Sequence, residues 1–330
     1  MSVNKVTAKI SGLGKSLPEK RLTNNDLEKI VDTSDEWITK RVGIKERRIA
    51  QDGQTTSYFA VKASAQALER SGIKAGELDL ILVATSTPDT IYPSTACIVQ
   101  KELGAVNAGV LDVSAACTGF VYACGVAWGM IRSGLMKNIL VVGAEVNSVI
   151  TNWQDRGTCV LFGDGAGAAV LTAHASNDEG ILAVKLGGDG NYGDQLNIIN
   201  SGCRVFKDDQ GNTPRYITMQ GNEIFKLAVR GMQECAESVL SAAGLTSTDV
   251  DLLIPHQANT RIIDAVARRL GLGEDKVFVN IQKYGNTSAA TVPIAMCEAY
   301  EEGRIKKGDI IILDAFGGGL TWGAVALRWA

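Results

Sequence analysis

Cys117 is the residue of this chain best placed to act as a nucleophile. It stands in Val113-Ser114-Ala115-Ala116-Cys117-Thr118-Gly119-Phe120, where a strand-like run from Gly109 to Val113 gives way to a long apolar, helix-like one. A cysteine at such a junction lies at a helix N-terminus, where unpaired N–H groups and the helix dipole favour thiolate over thiol. Farther along come Pro255-His256-Gln257-Ala258-Asn259 and Tyr284-Gly285-Asn286-Thr287-Ser288, following strand-like runs from Asp251 to Ile254 and from Val277 to Ile281. A thiol, an imidazole and a carboxamide, each just past a strand, are the parts needed for acyl transfer on a thioester.

Each residue also has an ordinary explanation. A cysteine in apolar surroundings is commonly an inert core residue, and the chain has seven. An Asn after Gly is commonly a turn former. His256 is harder to dismiss, because there are only two histidines and the other, His174, lies in a polar stretch. The joint placement at three strand ends carries the reading.

The elements that must position these groups follow from an internal repeat. Ala67-Leu68-Glu69-Arg70-Ser71-Gly72-Ile73 leads through Asp79 into Leu80-Ile81-Leu82-Val83-Ala84, and Val239-Leu240-Ser241-Ala242-Ala243-Gly244-Leu245 leads through Asp251 into Leu252-Leu253-Ile254. Gly72 and Gly244 are 172 positions apart, as are Asp79 and Asp251; Asn138 to Ala144 and Asp309 to Ala315 repeat at 171. Strands such as Leu80 to Ala84 and Ile310 to Leu313 are apolar throughout, as expected of sheets covered on both faces. The run from Thr118 to Met130 is apolar almost all round and reads as a helix buried between sheets. Two halves are therefore expected, 1–180 with the cysteine and 181–330 with the histidine and asparagine, divided at the polar break Asn177-Asp178-Glu179-Gly180.

Composition narrows the class. A length of 330 residues suits about two domains, and 45% hydrophobic content with 36 Gly and 6 Pro suits a compact α/β protein. A net charge of −3 gives no global pull toward nucleic acid or an anionic membrane. The start, Met1 to Ile10, lacks a signal-peptide core, and no run is long and apolar enough to span a bilayer. An odd number of cysteines without metal-type spacing fits a reduced, cytoplasmic setting. No nucleotide cofactor is indicated: Gly14-Lys15-Ser16 tempts a phosphate-loop reading, but the glycine required five residues earlier is Lys9.

These segments, with Thr33-Ser34-Asp35-Glu36-Trp37-Ile38, Arg41-Val42-Gly43-Ile44, Asp155-Arg156-Gly157-Thr158, Leu161 to Gly167 and Phe316-Gly317-Gly318-Gly319-Leu320-Thr321-Trp322-Gly323, resemble β-ketoacyl-acyl carrier protein synthase III of the thiolase superfamily over nearly the whole chain. The resemblance implies a five-layered αβαβα fold and condensation of a short acyl-coenzyme A with malonyl-acyl carrier protein through an acyl-cysteine. It assigns catalysis to Cys117, His256 and Asn286, with the backbone N–H groups of Cys117 and Gly318 as an oxyanion hole. Trp37 and Arg156 would sandwich the adenine of coenzyme A, Thr33 and Arg41 would lie near its phosphates, and Gly221, Phe225 and Asn259 would line the pantetheine tunnel. Tyr92 matches a position that closes the acyl pocket of a partner subunit, so a homodimer is expected; the family usually has Phe there, which leaves primer length open.

Carrier proteins are acidic while this chain is itself net negative, so docking needs a local basic patch. The helix beginning near Asn259 supplies one. Ile262, Ile263, Val266, Ala267 and Leu270 form a buried stripe, leaving Arg261 and Arg268 two turns apart with Arg269 adjacent. Gln257, Ala258, Asn259, Thr260 and Lys226 complete the expected docking face. Two rival readings are a thiolase-superfamily acyltransferase or condensing enzyme of secondary metabolism, and a non-catalytic binding protein on a decayed fold. The intact Cys–His–Asn set argues against both.

Overall fold

The computed structural model describes residues 6–176, 178–198, 200–203, 205, 207, 210–213 and 215–330; Asn177, in the expected polar break, lies outside them. Two sheets carry the fold. The first runs Val6–Ser16, Asp164–Ala175, Asn138–Val146, Leu80–Ala84, Gly109–Val113, with the last three strands mutually parallel. The second runs Leu252–Pro255, Ile310–Gly317, Thr321–Arg328, Gly180–Gly188, with only its first pair parallel.

Strand periodicity explains the layers. Successive strand side chains face opposite ways, so Leu80 and Leu82 pack inward with the helix Gly119–Arg132 while Ile81 and Val83 pack outward with the helix Thr56–Ser71. In the second sheet Ile311 and Leu313 face the same inner cluster, and Ile312 faces the helices Gly221–Ala242 and Thr260–Leu270. The inner cluster is thus shared by both sheets and by two central helices, Gly119–Arg132 and Thr291–Glu301. The order is αβαβα, as expected.

The repeated residues have repeated jobs. Gly72 ends the helix Thr56–Ser71 and Gly244 follows Gly221–Ala242, both at φ 71°, a left-handed step that glycine takes without a Cβ penalty. The Asp79 carboxylate accepts from the N–H groups of Lys137 and Asn138, and the Asp251 carboxylate accepts from Ile310 N–H, so each pins the start of the next strand in its sheet. The central helices begin 172 positions apart, at Gly119 and Thr291.

One sequence expectation needs correction. Val277 to Ile281 is not a strand: Val277 makes a single bridge to Leu253, and Ile281 opens a short helix, Ile281–Tyr284. The ladder stops because the Asn280 N–H is taken by the Gln257 side-chain oxygen at 3.1 Å. The last strand runs Thr321–Arg328.

Candidate active site

Ala115 and Ala116 bend the chain sharply out of the strand Gly109–Val113. Ala116 has φ 46°, a left-handed conformation costing a non-glycine residue roughly 1 kcal/mol. Cys117 follows in a single turn, Ala116–Thr118, and the helix Gly119–Arg132 starts two residues later. Gly317 is what lets this elbow sit where it does: a Cβ there would lie 2.7 Å from the Cys117 nitrogen and 3.0 Å from the Thr118 nitrogen. The first glycine of the run Gly317-Gly318-Gly319 thus makes room for the backbone of Cys117 itself.

Cys117, His256, Asn286, Ser288 and Gly318 line one cavity of about 950 Å³. Cys117 comes from the first sheet's side, and His256 from the end of the strand Leu252–Pro255, where its N–H bonds the Asp314 carbonyl at 2.7 Å. Asn286 is oriented by Ser288, whose backbone N–H can be satisfied only by the amide oxygen; that bond is 2.8 Å. The Nδ2 amino group is therefore the end of Asn286 left to face a ligand. Asn147 Nδ2 braces the same loop, donating to Gly163 O at 2.8 Å and reaching Asn286 O at 3.5 Å.

Electrostatics differ from the expectation of a ready thiolate. Burial pushes the Cys117 thiol from 9.0 up to about 12; the Ser288 hydroxyl pulls it down and the Glu145 carboxylate pushes it up. The upward shift corresponds to ~4 kcal/mol, more than the ~2 kcal/mol ceiling for a helix dipole. Cys117 therefore rests as a thiol. His256 is buried and its basicity is lowered to about 3, so its imidazole is neutral. Glu145, missed by the sequence reading, is wholly buried beside them and is raised to about 7 by that burial. Its oxygens accept from Ser86 N–H and from the hydroxyls of Thr85, Thr87 and Ser288.

The rim is basic. The guanidinium groups of Arg41 and Arg156 each lie 5.1 Å from the Trp37 ring centroid, and that of Arg261 lies 5.6 Å from the Phe225 ring. Trp37 and Arg41 sit on the helix Asp35–Val42, which ends at Gly43. A Cβ on Gly43 would meet Thr260 Cγ2 at 2.2 Å, so glycine there lets this helix dock on the start of Thr260–Leu270.

Residues 111–190 match the family described as 3-oxoacyl-[acyl-carrier-protein] synthase III, and residues 240–329 match its C-terminal domain. The β-ketoacyl-[acyl-carrier-protein] synthase III of Caldanaerobacter subterraneus subsp. tengcongensis is 53% identical over 99% of both chains. The chain belongs to the β-ketoacyl-[acyl-carrier-protein] synthase III family. The crystal structure of the synthase III from Aquifex aeolicus superposes with a TM-score of 0.90 at 52% identity, covering 98% of this chain and 100% of that one. The priming β-ketosynthase of the R1128 polyketide pathway superposes at 0.93 with 35% identity, covering 100% and 98%.

Set against that family's features, the expected residues divide. Trp37, Arg41, Gly221, Phe225, Lys226, Ala258, Asn259 and Arg261 line the cavity with the central trio. Asn259 also caps its helix, its side-chain oxygen accepting from Arg261 N–H at 2.9 Å. The helix Thr260–Leu270 buries Ile262, Ile263, Val266, Ala267 and Leu270, the stripe read from sequence. Arg156 stands outside the lining, on Trp37, and donates to the Asp32 carbonyl at 3.0 Å. Thr33 also stands outside it, its buried hydroxyl without a hydrogen-bond partner. Arg268 and Arg269 are exposed, bonded to Asp264 O and to the Gln233 side chain.

Gln257 is the correction. It is 1% exposed, and its amide is spent on Pro255 O, Phe278 O and Asn280 N–H, so it is a strut under His256 and no docking residue. Tyr92 is 86% exposed and lies away from the cavity of its own chain.

Proposed function

We propose that this enzyme starts fatty acid chains by decarboxylative Claisen condensation of a short acyl-coenzyme A, acetyl-coenzyme A first among them, with malonyl-acyl carrier protein. The observation that carries the reading is a thiol, a neutral imidazole and a carboxamide, those of Cys117, His256 and Asn286, converging on one cavity rimmed by Trp37 and arginines. The Cys117 sulfur bonds the acyl carbonyl carbon, and coenzyme A leaves as a thiol with the proton the cysteine gives up. The malonyl thioester then breaks its bond to the carboxylate. Carbon dioxide leaves, and the electron pair remains as an enolate whose oxygen lies against His256 Nε2 and Asn286 Nδ2. Fixed donors at a developing oxyanion are worth ~3–4 kcal/mol each. The enolate carbon attacks the acyl-cysteine, and the carbon–sulfur bond breaks to release the β-ketoacyl-carrier protein and a Cys117 thiolate, which takes a proton from solvent to return to the resting thiol. The Cys117 and Gly318 N–H groups serve the carbonyl of both acyl transfers.

Coenzyme A adenine stacks on Trp37, which requires the Arg156 guanidinium to swing off the ring and close over the base. Thr33 and Arg41 lie toward the phosphates, and Gly221, Phe225 and Asn259 flank the pantetheine. Arg261, Arg268, Arg269 and Lys226, with Ala258 and Thr260, receive the acidic carrier protein. The enzyme acts as a homodimer: Ile91, Tyr92, Val106 and Leu111 are exposed beside or on the edge strand Gly109–Val113, where pairing with a second copy would bury apolar surface and complete the acyl pocket with Tyr92. The division into halves at 180/181 and a cytoplasmic setting belong to the same reading; no helix among the described residues is long and apolar enough to cross a membrane. The secondary-metabolism alternative is not favoured, since identity is 35% to the polyketide priming enzyme against 52–53% to the β-ketoacyl-[acyl-carrier-protein] synthase III relatives.

Incubation with acetyl-coenzyme A should add ~42 Da to the wild type, mapped by peptide mass to Cys117, and nothing to Cys117→Ala. Labelling of another cysteine overturns the assignment.

A further inference from the structure

His256 can donate from Nε2 only if its other nitrogen is bare. A neutral imidazole carries one N–H, and the partner of Nδ1 decides which nitrogen holds it. That partner is the Thr291 hydroxyl, 2.6 Å away, at the start of the central helix Thr291–Glu301. The same hydroxyl lies 3.0 Å from the Ser288 carbonyl. Its single proton therefore has two acceptors, and they predict opposite tautomers. Given to Ser288 O, it leaves Thr291 to accept from Nδ1–H, and Nε2 presents a lone pair to the cavity. Given to Nδ1, it forces the hydrogen onto Nε2.

Ser288 O does not need the hydroxyl. The Thr291 backbone N–H already bonds it in the turn Ser288–Ala290. Nδ1 has no other partner among the described residues, and both side chains are buried, His256 at 4% and Thr291 at 2% exposure. Nδ1 is paired in either tautomer, as donor or as acceptor; the donor role of Nε2 separates them, since it leaves Nδ1 bare and makes the Thr291 hydroxyl its donor while Ser288 O keeps its backbone bond. The contact to Nδ1 is also the shorter of the two.

We propose that Thr291 is a positioning residue for the condensation: its hydroxyl donates to His256 Nδ1 and so holds the histidine in the Nε2–H tautomer, ready to donate to the malonyl thioester oxygen. This rests on the decarboxylating role given to His256 above. The neutral state of the buried imidazole agrees with it.

The test uses protein labelled with 15N-histidine, whose two ring signals are assigned with His174→Gln. The wild type should show Nδ1 as the unprotonated nitrogen and Nε2 as the protonated one. Thr291→Val, which keeps the shape and removes the proton, should shift His256 away from that tautomer. It should cut malonyl decarboxylation ~100-fold while acyl loading of Cys117 stays within about twofold, since it silences a donor without removing the ring. Thr291→Ser should restore both the signal and the rate. A protonated Nδ1 in the wild type overturns the proposal, even if Thr291→Val proves too unstable to assay. So does normal decarboxylation by Thr291→Val, or an equal loss of loading and decarboxylation, or failure of serine to rescue. If the wild type shows the Nε2–H signal but does not decarboxylate malonyl-carrier protein, the functional reading fails and the tautomer assignment stands.

Discussion

At Ala116 and again 172 positions later at Ser288, the chain takes a left-handed step before a buried central helix, at φ 46° and φ 51°. Each elbow lies against a glycine of the opposite half: Gly317 under Cys117, and Gly143 under Ala289, where a Cβ would come within 2.2 Å of the carbonyl oxygen. The backbones match and the chemistry has diverged. The first elbow carries the thiol. The second carries alanine where the thiol would be and surrounds it with polar groups: Asn286 held by Ser288 N–H, Ser288 Oγ on Glu145, and Thr291 Oγ1 on His256. Duplication thus supplied two equivalent helix starts facing one cavity, and the proposed reaction would use one for covalent capture and the other for the donors that stabilise charge. Both elbows keep their strain because the surrounding packing determines it.

The difference predicts separable damage. Gly317→Ala pushes a methyl into the Cys117 backbone, and Gly143→Ala pushes one into the donor elbow. Each should destabilise by ~1–3 kcal/mol as overpacking does. Gly317→Ala should lose acyl loading ~10-fold or more, whereas Gly143→Ala should chiefly lose decarboxylation. Thermal melts and the two partial reactions check this, and identical kinetic profiles for the two variants would break the comparison.

Carrier docking should spare the first elbow. Arg261→Glu with Arg268→Glu should raise the apparent KM for malonyl-carrier protein ~10-fold or more, and added salt should do likewise. Loading from acetyl-coenzyme A should change little, because the carrier is absent from that step. Equal losses with both substrates would point to damaged folding.

Glu145, which joins the elbows through Ser288, should leave a smaller signature in stability against pH. Its carboxyl is raised from 4.5 to about 7 in the folded state, so between those values the folded protein binds more protons than the unfolded one. Stability should therefore fall as pH rises from about 4.5 to about 7, and Glu145→Gln should flatten that slope in denaturant titrations. An unchanged slope would mean that the group is already ionised across this range.

Much of this was legible in the residues. The 172-residue offset revealed the duplication because Gly72/Gly244 and Asp79/Asp251 do local jobs, ending a helix and pinning a strand, that demand those residue types. Cys117, His256 and Asn286, which line one cavity, were visible as candidates because few residue types can do the chemistry proposed for them. Ser288, Thr291 and Glu145 were not, since a buried hydroxyl or carboxylate looks in sequence like any surface one until tertiary contact gives it a partner. Gln257 misled for the same reason: a polar side chain beside a basic helix reads as surface, yet three core hydrogen bonds bury it. Val277 to Ile281 had the composition of a strand, and a tertiary bond to Asn280 N–H cut its ladder to one bridge.

The division of labour between the elbows is tested most directly by Asn286→Ala assayed for both half-reactions in one preparation. Intact-mass analysis after acetyl-coenzyme A should still find the ~42 Da adduct on Cys117. Carbon dioxide release from malonyl-carrier protein should fall ~100-fold or more, the loss expected for one oxyanion donor. Loss of the adduct, or decarboxylation at the wild-type rate, would contradict the account.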